Sequence, residues 1–196
     1  MDPVTESEWL GDSTRMLTII QDHASTRKMR LAAAAYVRHL QDLPGHEDAK
    51  RCDDLLESCA ENPRPVSESV NTLYGRPGTW WFTHLLAPED PTRLAMAFRK
   101  LIAFTDPCPA NLHAELLREV IGNPFRPIAF DPAWRTSTVI ALARGVYDDK
   151  AFDRMPILAD ALQDAGCENA DILDHCRGDS LHIRGCWVVD LVLGKE

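Results

Sequence analysis

The chain has 196 residues, with 30 acidic and 21 basic side chains and a formal net charge of -9 at neutral pH. This length fits one ordinary domain, or one domain with a small additional lobe, and an apolar content of 45% is enough for a hydrophobic core. The negative charge argues against a nucleic-acid binder and against docking on anionic lipid, because both surfaces attract lysine and arginine.

The sequence shows neither a membrane span nor a secretion signal. No apolar run approaches the roughly 20 residues that cross a bilayer. The acidic segment 1–12 lacks the basic and apolar regions of a signal peptide. A cytoplasmic location is therefore expected, with the six cysteines as reduced thiols rather than as three disulfides.

The first 40 residues predict short amphipathic helices. Thr5 and Glu8 have the spacing of a capping box, which would start a short helix. Ser25 is a candidate N-cap for a longer helix that ends near Leu40. The apolar side chains at helical spacing that are expected to face inward in this second helix are Met29, Leu31, Ala32, Ala35, Tyr36, Val37 and Leu40.

Cations occupy the first turn of this longer helix, where they oppose the helix dipole. They are Arg27, Lys28 and Arg30. Either a carboxylate partner or an acidic ligand offsets this conflict, or the exposed surface tolerates it, which is the commoner outcome. The sequence alone leaves both alternatives open.

Segment 46–61 predicts a further helix in which Cys52 and Cys59 share a buried face. The run Asn62-Pro-Arg-Pro65 then ends it, because two prolines in three residues exclude a continuous helix. We predict the domain boundary at this break. It would separate an N-terminal helical lobe, residues 1–62, from a C-terminal helical domain, residues 63–196.

Aromatic side chains stand out in the second half of the sequence. Trp80 and Trp81 are adjacent and cannot both face one core, so one of them is expected at a lobe interface or on a partner surface. Segment 123–134 is one long irregular stretch with three prolines and several apolar anchors. It is either strapped across the core or used for recognition.

No segment shows a convincing period-two alternation, and the runs of β-branched residues are short. The predicted fold class is all-α, an irregular multi-helix bundle of some nine to eleven short helices. An α-solenoid-like arrangement is the alternative, although no fixed-period repeat is visible. Segment 154–194 predicts three helices with glycine corners and is expected to form the folding core.

The sequence of the C-terminal half resembles a family of uncharacterised bacterial proteins that is abundant in planctomycetes. The resemblance is carried by Gly122-Asn-Pro-Phe-Arg-Pro127, by Leu158-Ala-Asp-Ala-Leu162 with Ala165-Gly-Cys167, by His175-Cys-Arg-Gly178 and by His182 through Asp190. Two pieces of the N-terminal third match as well, whereas the stretch from about residue 43 to 109 is specific to this chain. The resemblance implies no established activity and carries over no catalytic residue.

Thiol and imidazole groups are concentrated near the C-terminus, and they are the ligand types that zinc prefers. His182 and Cys186 are one helical turn apart, and Cys167 and His175 complete a set of four candidate ligands, with Cys176 nearby. The spacing has no CxxC knuckle. The alternative is that the cysteines fill small spaces in the core while the histidines cap helix ends.

A local basic patch is the one feature that could attract a polyanion. Its candidates are Arg126, Arg135, Arg144, Arg177 and Arg184. Solvated helix faces are the simpler interpretation. Two of them, Arg177 and Arg184, are expected to pair with an aspartate such as Asp171, Asp174 or Asp190.

The predicted function is the binding of another protein, as a non-enzymatic adaptor or accessory subunit. The expected contact residues are Trp80, Trp81, Phe125, Arg126 and Trp134. No nucleophile elbow, glycine-rich phosphate loop or HExxH motif occurs in the sequence, so no catalytic residue is assigned. The alternative is a zinc-stabilised protein, or a small hydrolase that uses the C-terminal cysteine and histidine cluster.

Overall fold

The computed structural model describes residues 5–11, 16, 24–40, 49–62, 85, 91–104 and 112–195. Within these ranges the chain forms α-helices and no β-strand, which confirms the all-α fold class and the irregular bundle of short helices. The helices are α1 (Glu6–Gly11), α2 (Thr26–Arg38), α3 (Ala49–Glu61), α4 (Pro91–Phe104), α5 (Leu112–Ile121), α6 (Ser137–Asp149), α7 (Met155–Asp164), α8 (Ala170–Arg177) and α9 (Trp187–Leu193). Two single 3-10 turns, Pro132–Trp134 and Phe152–Arg154, precede α6 and α7. None of the described helices is both long enough and apolar enough to span a bilayer.

The chain divides into two compact units, residues 1–121 (unit 1) and 122–196 (unit 2). The predicted boundary after residue 62 falls inside unit 1. The reason is that α2, which precedes that point, packs against α4 and α5, which follow it. The prolines at 63 and 65 can end a helix, but contacts between distant segments decide which helices form one unit.

Helix α2 has contacts with three described helices of unit 1, namely α3, α4 and α5. The hydroxyl of Ser25 accepts a hydrogen bond from the backbone N–H of Lys28 at 3.3 Å, so the predicted N-cap is confirmed. Every residue from Met29 to Val37 is buried, and so is Leu40, which completes the predicted inward face. Four consecutive alanines, 32–35, lie within this buried helix and let its neighbours approach closely.

Ion pairs join α2 to α3, and one of them gives a cation in the first turn of α2 a carboxylate partner. Arg27 Nε lies 3.1 Å from the Glu61 carboxylate, so a carboxylate partner is present. At the other end of α2, Arg38 donates to both oxygens of Asp53 at 2.8 Å and also to Glu57. Burial opposes the charge of Arg38, but the hydrogen bonds and negative charges of Asp53 and Glu57 outweigh it and raise the pKa of the guanidinium.

The two cysteines of α3 face the interior, as their seven-residue spacing predicted. Cys52 and Cys59 are both buried and free of disulfide bonds. Burial raises the pKa of the Cys59 thiol, although the positive charge of Arg30 opposes this change. A neutral thiol in this position behaves as a small apolar side chain.

In unit 1, arginines from distant positions close the C-terminal ends of two helices that carry no basic residue in their last turn. Arg30 donates to the carbonyl of Cys59 in the last turn of α3 at 3.3 Å. Arg118 donates to the carbonyls of Trp9 and Leu10 near the end of α1, at 3.1 and 2.7 Å. These bonds satisfy carbonyls that have no partner within their own helix. The capping box of Thr5 and Glu8 closes the other end of α1.

Unit 2 repeats this arrangement. Arg135 donates to the carbonyl of Leu191 in α9 at 2.7 Å. Arg184 donates to the carbonyls of Tyr147 and Asp148 in the last turn of α6, at 3.2 and 3.3 Å. Neither of these helices has a basic residue in its last turn. Two of the five arginines that could have formed a basic patch therefore bind main-chain oxygens of this chain.

Arg177 differs from the expectation that it pairs with Asp171 or Asp174 on its own helix. It instead contacts Asp160 and Gln163 of α7, each at 2.7 Å, in a pair that is exposed to solvent. The expectation was wrong because it was confined to aspartates on the helix of Arg177. Helix α7 packs against α8 and brings the carboxylate of Asp160 within reach of Arg177.

Unit 2 has its own hydrophobic core, built from α6 to α9. Helix α7 packs against α6 and α8, and α9 packs against α6 and α8. The N-caps Thr136 and Asn169 each accept a backbone hydrogen bond from the third residue that follows them, at 3.3 and 3.2 Å. The core contains three completely buried cysteines, which are Cys167, Cys176 and Cys186.

Candidate metal centre

The connection between α8 and α9 brings two histidines and one cysteine together. His175 lies in the last turn of α8, His182 lies in the connecting segment, and Cys186 is the residue immediately before α9. Gly185, with a φ of 95°, adopts the left-handed conformation that glycine favours. This turn redirects the chain so that Cys186 enters the core at the start of α9.

The three side chains converge on a small volume. His175 Nε2 lies 3.2 Å from Cys186 Sγ. The rings of His175 and His182 meet edge to face, with centroids 5.0 Å apart and planes inclined at 77°. One ligand atom from each of the three residues lies within 4.8 Å of the corresponding atom of the other two.

These distances are close to what a metal ion requires. Zinc binds histidine nitrogen at about 2.0–2.1 Å and cysteine sulfur at about 2.3 Å, so a tetrahedral ion holds a nitrogen and a sulfur donor about 3.5 Å apart. The observed 3.2 Å between His175 Nε2 and Cys186 Sγ differs from this by a few tenths of an ångström. The third donor, from His182, lies within 4.8 Å of the other two donors.

The cluster is largely shielded from solvent at its cysteine. Cys186 is completely buried within the core of unit 2, and the two histidines are partly buried. A charged thiolate is costly in such a place unless a cation compensates it. A substrate cannot reach a completely buried thiol, so this geometry supports ligation of a metal ion better than nucleophilic attack by Cys186.

An aromatic ring lies against the cluster. The ring centroids of Trp187 and His175 are 5.0 Å apart, and the two ring planes are inclined at 50°. The indole also lies close to Gly122, where an added Cβ atom would be 3.2 Å from two indole carbons. Neither residue was predicted to lie at a site; both occur in segments that carry the family resemblance.

Of the four predicted zinc ligands, the structure brings together His175, His182 and Cys186. Cys167 does not belong to the cluster. Its backbone N–H closes the C-terminal end of α7 by donating to the Leu162 carbonyl at 3.0 Å, and its thiol is buried in the core. Nearness in sequence did not bring Cys167 to the site, because its place is fixed by the end of α7.

The predicted partner-binding residues have different surroundings. Trp80 and Trp81 lie outside the described residues. Trp134 packs partly against the core of unit 2 and meets Phe130 edge to face, with centroids 5.3 Å apart. Phe125 is 39% exposed, and the adjacent Arg126 is exposed as well. Segment 123–134 therefore straps the core through some of its apolar side chains and leaves Phe125 at the surface.

No family model, no curated protein and no solved structure matches this chain. The resemblance to the planctomycete-type family stays a prediction. The function must be argued from the geometry of the chain itself.

Proposed function

We propose that unit 2 binds a zinc ion through His175, His182 and Cys186, and that the ion stabilises the fold of this unit. The observation that supports the proposal is the convergence of two imidazoles and one thiol within 4.8 Å. These groups come from the end of one helix, from the connecting segment and from the start of the next helix. A bound ion would therefore join α8 to α9.

Zinc is the metal that this donor set favours. Thiolate and imidazole ligands suit zinc, whereas magnesium and calcium prefer oxygen donors. Three protein donors and one further ligand complete a tetrahedral zinc site. We also propose the cytoplasm as the compartment, in keeping with the five described cysteines, which form no disulfide with one another.

The size of unit 2 gives a physical reason for such an ion. It contains about 75 residues, and units of this size gain limited stability from one hydrophobic core. Small domains commonly add disulfides or a structural metal. The described cysteines form no disulfide with one another. Cys186 lies beside two imidazoles, so a metal ion is a cross-link that these three side chains can form.

Metal analysis of the purified chain tests the proposal. We expect close to one zinc ion per chain after mild purification, and recovery of that zinc content when metal-free protein is incubated with zinc chloride. His182→Ala should lower the zinc content sharply, because it removes a ligand from a partly exposed position without opening the core. A chain that holds no zinc at micromolar concentrations of the ion would rule the proposal out.

A second candidate function is the binding of another protein, and the exposure of Phe125 favours it. Aromatic residues, phenylalanine among them, and arginine are both enriched at protein interfaces. The side chain amide of Asn123 accepts a hydrogen bond from the Phe125 backbone N–H at 2.9 Å, which fixes the local turn. An adaptor or accessory subunit would use the exposed ring of Phe125 as the side chain that its partner protein buries.

Replacement of Phe125 tests this second candidate. Phe125→Ser is expected to change the free energy of unfolding by less than about 0.5 kcal/mol, as is usual for exposed positions. It should also reduce the recovery of a co-purifying protein from the native host. Trp134→Ala is the matched control and should destabilise the chain, because Trp134 packs against the core. A large loss of stability in Phe125→Ser would assign Phe125 to the core instead.

A further inference from the structure

We infer that Trp187 is a positioning residue of the metal centre. Its indole holds the His175 ring in the orientation that directs Nε2 toward Cys186 and the metal, and Gly122 provides the space that the indole needs. This inference rests on the proposed zinc site. It concerns which residue outside the ligand set determines how well the site binds.

The His175 ring contacts two other rings. Trp187 and His182 each have a ring centroid 5.0 Å from the centroid of His175. An imidazole on a flexible side chain can rotate so that a carbon atom replaces the nitrogen beside the sulfur. Ring contacts at these distances restrict this rotation and keep Nε2 at 3.2 Å from Cys186 Sγ.

The indole of Trp187 is itself held in place by its neighbours. Trp187 directly follows Cys186, so its backbone position is tied to that of a ligand. On the side of Gly122, an added Cβ would come within 3.2 Å of the indole carbons Cγ and Cδ2. Gly122 also has a φ of 75°, which side chains other than glycine rarely adopt. Gly122 and His175 thus both lie against the indole and restrict where it can move.

A residue that positions a metal ligand differs from one that only packs in the core, because the first also changes metal binding. Trp187 and Trp134 are both partly buried and both pack against the core of unit 2. Of these two tryptophans, Trp187 contacts the candidate ligand His175, whereas Trp134 contacts Phe130. Groups that orient metal ligands typically change metal affinity 10–100-fold when they are replaced. A residue that only fills the core changes the stability of the fold without changing the coordination of the ion.

The test compares three variants of the full chain, Trp187→Leu, Trp187→Phe and Trp134→Leu. Each is titrated with zinc against a chromogenic chelator and with Co²⁺, whose visible spectrum reports coordination geometry. We expect Trp187→Leu to bind zinc about 10–100-fold more weakly and to alter the Co²⁺ spectrum. Trp187→Phe retains an aromatic face and should restore both properties toward the wild type. Trp134→Leu should unfold more easily yet keep the wild-type affinity and spectrum.

Wild-type affinity and spectrum in folded Trp187→Leu would overturn the inference while leaving the zinc site in place. A wild-type chain that binds neither ion would instead remove the proposed function itself. If Trp187→Leu does not fold, Gly122→Ala decides, because it displaces the indole without removing it. Weaker zinc binding by Gly122→Ala supports the inference, and unchanged binding overturns it.

Discussion

Zinc is expected to raise the free energy of unfolding of the metal-free chain by about 4 kcal/mol when free zinc exceeds the dissociation constant 1,000-fold, and Cys186→Ala is expected to abolish this gain. The gain arises because the ion binds the folded chain and joins α8 to α9, whereas the unfolded chain lacks the assembled site. Denaturant unfolding of each variant, with zinc and with a chelator, measures both values.

Cys167→Ala is the matched control for this experiment. Cys167 and Cys186 are both completely buried in the same core, so each replacement removes one thiol from a similar environment. Both variants should lose some stability in the chelator, through the cavity that the missing sulfur leaves. Only Cys186→Ala should lose the zinc-dependent increment. Equal zinc-dependent increments in the two variants would show that Cys186 is no ligand.

Arg38→Ala is expected to lower the free energy of unfolding of unit 1 by about 3 kcal/mol. The side chains of Asp53 and Glu57 are only 6% and 10% exposed, and Arg38 contacts both of them. Removal of the arginine takes a positive charge from two nearly buried carboxylates, and breaking a buried ion pair in this way typically costs 3–5 kcal/mol. The expected value is at the low end because Arg38 is itself 34% exposed. Hydrogen exchange of α2 and α3 reports this loss separately from unit 2.

Arg177→Ala provides the comparison, since its partner Asp160 is 71% exposed. An exposed pair contributes little, so we expect a change below about 1 kcal/mol. Arg38→Ala should also be less harmful in a chain that already carries Glu57→Gln, because one carboxylate no longer needs a partner. A similar small loss in Arg38→Ala and Arg177→Ala would mean that water reaches Asp53 and Glu57.

Local signals in the sequence predicted local structure well. The capping box at Thr5 and the N-cap at Ser25 are both present, because a cap depends on residues within one turn. The inward face of α2 followed from apolar spacing. The burial of Asp53 and Glu57 could not be foreseen in the same way, since their partner Arg38 is on another helix and carboxylates ordinarily lie at the surface.

The metal centre was predicted in part for a related reason. The residue types and their concentration near the C-terminus were correctly singled out, and His175, His182 and Cys186 do converge. Membership of the cluster was not visible in the spacing, because the turn at Gly185 sets it and the spacing contains no CxxC knuckle. The contact of Trp187 with His175 depends on the same turn, so it was missed.

The arginines that close helix ends have a consequence for how this chain acquires its structure. Each bond spans a long stretch of sequence: 29 residues for Arg30, 37 for Arg184, 56 for Arg135 and 109 for Arg118. The final turns of α1, α3, α6 and α9 therefore gain these bonds only once remote parts of the chain have come together. Peptides cut from these helices should fray at their C-terminal ends, and helix completion becomes part of the cooperative step that assembles each unit.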